Sequence, residues 1–175
     1  MNNRKLLNIE LGRIGVDKYK QQSINGHIIV LDNVRSAHNI GSAFRTADSF
    51  NIRKIYLCGI CATPPSAEVH KSAIGAENSV EWEYSSDTYP VINYLKKEGY
   101  KIISVEQTVN SVSLNDFQPK KGEKYALVFG NEVAGVDQKI VDASDFSLEI
   151  PQYGTKHSLN VSVSIGVVLW VFRPI

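Results

Sequence analysis

Apolar residues in this chain gather in short runs separated by longer stretches of mixed polarity. The run at 28–32 (Ile-Ile-Val-Leu-Asp) has the length and branching of a buried strand. A helix-compatible stretch follows at 40–50, and a second short run at 54–57 completes a β-α-β unit. Pro64 and Pro65 mark 60–72 as a loop. Beyond it the pattern predicts a strand at 80–84, a helix at 88–97 ending near Gly99, and a strand at 101–105. After a polar connection come a strand at 125–129, a short helix at 137–143 and a strand at 146–150, closed by Pro151. Strands alternating with helices predict an α/β fold, a mostly parallel sheet with helices on both faces.

The last segment carries two competing periods. Val161, Val163, Ile165 and Val167 alternate with Ser162, Ser164 and Gly166, which by propensity is a strand. Wound as a helix, the segment puts Ser158, Ser162 and Gly166 at i, i+4 and i+8, a small face that would let another backbone or subunit come close.

Composition narrows the class. The 175 residues, 43% hydrophobic and 21% charged, suit one globular domain, with 1–25 as a short basic, helical segment, and no repeat, low-complexity stretch or linker divides them. No apolar run approaches the roughly 18 residues of a membrane span, and the longest, 165–172, is interrupted by Gly166. The N-terminus is positively charged but lacks the apolar centre and small-residue cleavage site of a secretory signal, so a cytoplasmic protein is expected. Cys58 and Cys61 have the C-x-x-C spacing of a redox pair or half a zinc site, yet they follow a strand-like run and no further ligands are patterned around them. Two buried, inert thiols are expected, and no metal. The net charge of +1 does not announce a nucleic-acid binder. Basic clusters within 4–20 and at Lys120, Lys121 and Lys124 fit an RNA-facing surface or ordinary solvated charge equally.

Open α/β sheets bind ligands beyond the carboxyl ends of their strands, and three polar segments stand at such places. After the first strand, residues 33–48 carry Asn39 and, six residues on, Arg45. A guanidinium there could grip an RNA phosphate bidentately or simply lie on a solvated helix face. After the strand at 125–129 comes Gly130-Asn131-Glu132-Val133-Ala134-Gly135, where glycines allow a tight backbone and close ligand approach, and where Asn131 and Glu132 could also cap the following helix. It is no Walker loop, and no G-x-G-x-x-G stretch occurs anywhere, which argues against a dinucleotide-binding domain. The third segment, 151–162, ends in Ser158 and Asn160, good capping residues, and contains His157, by itself a surface histidine.

In this order the segments read N-x-R-S-x-x-N-x-G-x-x-F-R-T-A-D (33–48), L-V-F-G-N-E-x-x-G-V (127–136) and I-P-x-x-G-x-x-x-S-L-N-V-S-V (150–163). Together they resemble the three signatures of the SpoU (TrmH-like) family of RNA 2'-O-ribose methyltransferases. The resemblance runs from about residue 28 to the C-terminus and includes 71–76 and 105–108. It implies an α/β fold whose C-terminal segment is threaded into a deep trefoil knot, an exception to the usual rule. It decides for a helix in the last segment. It also implies a homodimer with sites at the subunit interface, S-adenosyl-L-methionine as cofactor, and tRNA or rRNA as substrate. By the same resemblance Arg45 is the catalytic arginine, Asn39 its polar neighbour, and Glu132, Ser158 and Asn160 complete the catalytic set. The cofactor would be held around Val105, Phe129, Gly130, Asn131, Gly135, Ile150, Ser158 and Leu159. Since a guanidinium stays protonated in proteins, orienting the hydroxyl and phosphate and stabilising charge suit Arg45 better than accepting a proton. Two departures stand out. Ala37 replaces the proline many members carry, and only about 25 residues precede the resemblance, where some relatives have an RNA-binding extension. The alternative is a knotted RNA-binding protein without catalysis.

Overall fold

The computed structural model describes residues 3–21 and 25–173; residues 1, 2, 22–24, 174 and 175 of the expected single domain lie outside them. Seven strands, β1 (Asn25–Asp32), β2 (Ile52–Cys58), β3 (Glu81–Ser85), β4 (Tyr100–Val105), β5 (Val112–Ser113), β6 (Lys124–Phe129) and β7 (Phe146–Glu149), form one sheet in the order β3-β2-β1-β6-β4-β7-β5. Every pairing is parallel, as βαβ connections require. The helices are α1 (Val16–Gln21), α2 (Ala37–Ser49), α3 (Ala67–Ala73), α4 (Thr88–Lys97), α5 (Gln138–Ala143) and α6 (Val161–Val171).

The central strands β1 and β6 are apolar on both sides because both sides are covered. Ile29 and Leu31 of β1 and Leu127 and Phe129 of β6 pack with Phe44, Val69 and Ile165 from α2, α3 and α6. Ile28 and Val30, with Ala126 and Val128, meet Ile92, Leu95 and Ile140 from α4 and α5 on the other face. This is the predicted α/β layering.

Three segments depart from expectation. The stretch 60–72, predicted as loop, contains most of α3, started by Ser66, whose hydroxyl accepts the Val69 N–H at 3.5 Å. This helix packs tightly on α2, because a side chain at Gly41 would overlap Ser72 and the Val69 carbonyl. The polar connection after β4 contributes the short edge strand β5. Helix α2 begins three residues before the predicted 40, since the Ser36 hydroxyl accepts the Asn39 N–H at 3.3 Å and caps it.

The ambiguous last segment is helix α6. Val161, Ile165, Val168 and Leu169 are buried, whereas Val163, Val167 and Trp170 are exposed. Burial against α2 and the sheet overrides the strand propensity of its valines. The small face does not meet another backbone within this chain: a side chain at Gly166 would touch nothing.

Candidate active site

The strand order reverses around β1, β6 and β4, where chain-distant segments leave the sheet side by side. The end of β1 is fixed first. Asp32, buried, accepts the Thr88 hydroxyl at 2.6 Å, the Asn33 amide at 3.0 Å and the Asp137 N–H at 2.9 Å. This carboxylate ties β1 to the starts of α4 and α5, so that 33–36 leaves the sheet in a fixed direction.

The segment after β6 folds back on itself. Asn131 and Gly135 exchange backbone hydrogen bonds of 3.0 and 2.9 Å, and the Asn131 side-chain oxygen accepts the N–H groups of Val133 and Ala134 at 2.9 and 3.1 Å. Its amide donates to the Asn33 carbonyl at 2.8 Å. Gly130 permits this fold, because a Cβ there would overlap the Gly135 and Val136 backbone.

Glu132 thereby reaches α2. Its carboxylate accepts the N–H groups of Arg35 and Ser36 at 2.9 and 3.0 Å and the Asn39 amide at 2.9 Å. The capping role was foreseen for the helix following Glu132, but the helix it serves is α2, whose N-terminal dipole favours a negative charge. Burial acts to raise the Glu132 pKa, but the hydrogen bonds from Arg35, Asn39 and Ser36 outweigh it and hold the carboxyl below its ordinary value.

The third segment joins through Asn160. Its side-chain oxygen accepts the Ser162 N–H at 2.9 Å and so caps α6, while its amide donates to the Asn39 oxygen at 3.2 Å. Asn160, Asn39 and Glu132 therefore form one hydrogen-bonded row across segments that are far apart in sequence.

Beside this row lies a cleft of about 650 Å³ at the ends of β4, β6 and β7. Every residue expected to hold the cofactor lines it: Val105 from β4, Phe129 to Asn131 and Gly135 after β6, Ile150 after β7, and Ser158 with Leu159 before α6. Glu132 and Asn160 line it as well, whereas Asn39 stands behind them, buried. Sequence reasoning missed Glu106 and Gln107 as individual contributors. Glu106 accepts the Val136 N–H at 3.0 Å, and the Gln107 amide donates to the His157 carbonyl at 2.8 Å, linking two rims of the cleft. Their signal was position, the first polar residues beyond β4. Among the described residues the lining holds two carboxylates, Glu106 and Glu132, and no lysine or arginine.

Arg45 stands apart. Its side chain is exposed, and it lines a different hollow with Val16, Asp48, Ser49 and Ile74, sharing no lining residue with the cleft. Six residues beyond Asn39 is about 240° of helical turn, roughly 120° round α2 from it, so within one chain Arg45 lies on the solvated helix face.

Cys58 and Cys61 are free and buried, and burial pushes their thiols up to about 12 and about 11. Cys61 donates to the Leu31 carbonyl at 3.4 Å. Both belong to the core. Among the described residues no helix is long and apolar enough to cross a membrane.

Comparison with known proteins agrees with this layout. The chain is 32% identical over 152 residues to an uncharacterized tRNA/rRNA methyltransferase of Borreliella burgdorferi, covering 85% of this chain and 64% of the relative. It is 32% identical over 146 residues to the tRNA (guanosine(18)-2'-O)-methyltransferase of Aquifex aeolicus, covering 82% and 66%. This chain thus spans slightly less than two thirds of either relative. An AdoMet-bound rRNA methyltransferase from Sinorhizobium meliloti superposes with a TM-score of 0.78 at 26% identity, covering 90% of this chain and 59% of the other. The profile of the SpoU rRNA Methylase family matches residues 26–170, nearly the whole sheet and all three signature segments, and the chain belongs to that family.

Proposed function

We propose that this chain is an S-adenosylmethionine-dependent RNA methyltransferase acting on a ribose 2'-hydroxyl of tRNA or rRNA in the cytoplasm. The observation that carries this reading is the row Asn160–Asn39–Glu132, which binds the three signature segments together along one wall of the 650 Å³ cleft. The family, and relatives named for guanosine 2'-O-methylation, supply the reaction class.

The cleft suits the cofactor. Apolar Val105, Ile150 and Leu159 offer a surface for an adenine, the glycine-bearing 130–135 segment lies along the cleft, and the Ser158 hydroxyl makes no protein hydrogen bond among the described residues. When bound, the cofactor supplies an electrophilic methyl group. The chain's own residues must align a weakly nucleophilic ribose hydroxyl with it and ease the loss of its proton. In this reading Glu132, with its carboxylate already satisfied, and Asn39 hold the wall, Asn160 and Ser158 face the reactants, and Arg45 grips the RNA phosphate and stabilises charge.

Since Arg45 and the cleft occupy separate surfaces of one chain, the reading includes a homodimer in which a second copy completes the site. The exposed Val163, Val167 and Trp170 on α6 offer it an apolar surface. The C-terminal knot implied by the resemblance belongs to the same reading, in keeping with the return of α6 from β7 onto α2.

The test is transfer of labelled methyl from the donor to total tRNA and rRNA, with the modified nucleoside identified by mass spectrometry. A 2'-O-methylnucleoside is expected. RNA binding with neither donor binding nor transfer would establish the alternative, an RNA-binding protein without catalysis.

A further inference from the structure

We infer that Glu106 sets the preference of the cleft for a positively charged methyl donor over its neutral thioether product, an inference that rests on the cofactor reading above. The two carboxylates in the cleft differ in what remains of their capacity. Glu132 is committed to three N–H donors of α2 and the turn before it. Glu106 receives one N–H on each oxygen, from Gln107 at 2.8 Å and from Val136 at 3.0 Å. A carboxylate offers about four lone-pair positions, so Glu106 keeps acceptor capacity facing the cleft.

Its position is also fixed. Gly135 has a left-handed φ of +71°, and a Cβ on it would overlap the Glu106 carboxylate, which fills the space a side chain at 135 would need. No lysine or arginine among the described residues lines the cleft to neutralise it. The result is a held negative charge on the wall of a concave site, where charges interact more strongly than in open water. S-adenosylmethionine and S-adenosylhomocysteine share the adenosine and the amino-acid tail and differ by a methyl group and its sulfonium charge. The ratio of their affinities therefore isolates the response to that charge. Within one cleft, at an effective dielectric of about 20–40, the interaction is worth roughly tenfold in the ratio.

The experiment is titration calorimetry of both compounds against the whole protein and its Glu106→Gln variant, which keeps the side-chain length and an acceptor for one N–H. The donor should weaken roughly tenfold relative to the thioether. Equal weakening of both compounds would reduce Glu106 to a support for the Val136 turn and overturn the inference, as would no change in either. Should Glu106→Gln not fold, Glu106→Asp keeps the charge but draws it back by one methylene: the donor should then weaken relative to the thioether, by less than roughly tenfold. An unchanged ratio in Glu106→Asp with both compounds weakened alike would count against Glu106. If the unaltered protein binds neither compound, the cofactor reading itself fails and takes this inference with it.

Discussion

The amide of Asn160 donates to the side-chain oxygen of Asn39 across 3.2 Å, although 121 residues separate them in sequence. The same Asn39 donates to Glu132 at 2.9 Å, so one buried amide has both its ends used by segments from other strands. Asn39→Ala should therefore cost about 1–3 kcal/mol in denaturant unfolding, because two polar partners lose a hydrogen bond. Methyl transfer should fall by about two orders of magnitude, because a small misplacement of positioning groups is enough for that. Asn39→Asp should be worse for transfer than alanine, since it sets a second carboxylate against Glu132. Transfer by Asn39→Asp at the unaltered rate would show that the row plays no part in the reaction.

Arg45 lies outside the cleft and is exposed. Arg45→Ala should leave unfolding free energy within about 0.5 kcal/mol and donor affinity unchanged, while transfer to RNA is abolished. Loss of donor binding would mean that the guanidinium serves the cofactor rather than the RNA.

Two glycines form a controlled pair. Gly130→Ala forces a Cβ into the Gly135 and Val136 backbone and should cost about 1–3 kcal/mol, with donor binding lost in calorimetry. Gly166→Ala meets only open space within the chain and, by helix propensity, should stabilise α6 by about 0.5–1 kcal/mol. If a second copy covers that face, gel filtration should show a weaker dimer for Gly166→Ala alone.

His27 gives the fold an acid sensitivity of predictable sign. Burial lowers its pKa from 6.5 to about 4, and it packs edge-on to Phe172 while its Nδ1 accepts the Tyr125 N–H at 3.3 Å. The unfolded chain takes up the proton first as pH falls, so the stability from a neutral His27 is complete above pH about 6.5 and is lost on going down to about 4. The loss should reach about 2–3 kcal/mol in denaturant midpoints measured across that window, given the partial burial. His27→Gln should flatten the profile there, and an unchanged slope would exclude the histidine as its source.

What could be read from sequence follows the physics of burial. The runs 28–31 of β1 and 125–129 of β6 are plain because both faces are covered there, so every residue in them is apolar or aromatic. Helix α3 escaped because its seven residues are mostly polar or small and only Val69, Ser72 and Ala73 are buried. Helix α6 was masked by alternating valines and settled only by resemblance, since packing on α2 is a tertiary effect. In the site, side-chain motifs marked the three segments and the cleft they line. The backbone N–H groups of Arg35, Ser36 and Val136 that hold the carboxylates carry no mark in sequence at all. Spacing sets Arg45 round α2 from Asn39, but which of the two faces the cleft is decided by the packing of α2, which no motif marks.

The insertion of β6 between β1 and β4 has a consequence for how the molecule is made. During synthesis β1 can pair with β2 early, but its other side stays open until Phe129 has left the ribosome, almost a hundred residues later. At about 5–20 residues per second that is roughly 5–20 s, during which Ile28 to Leu31 present an unpaired apolar edge to every other nascent chain. The centre of the finished sheet is its most vulnerable edge at birth, and yield in the cell should depend on whatever shields β1 until β6 arrives.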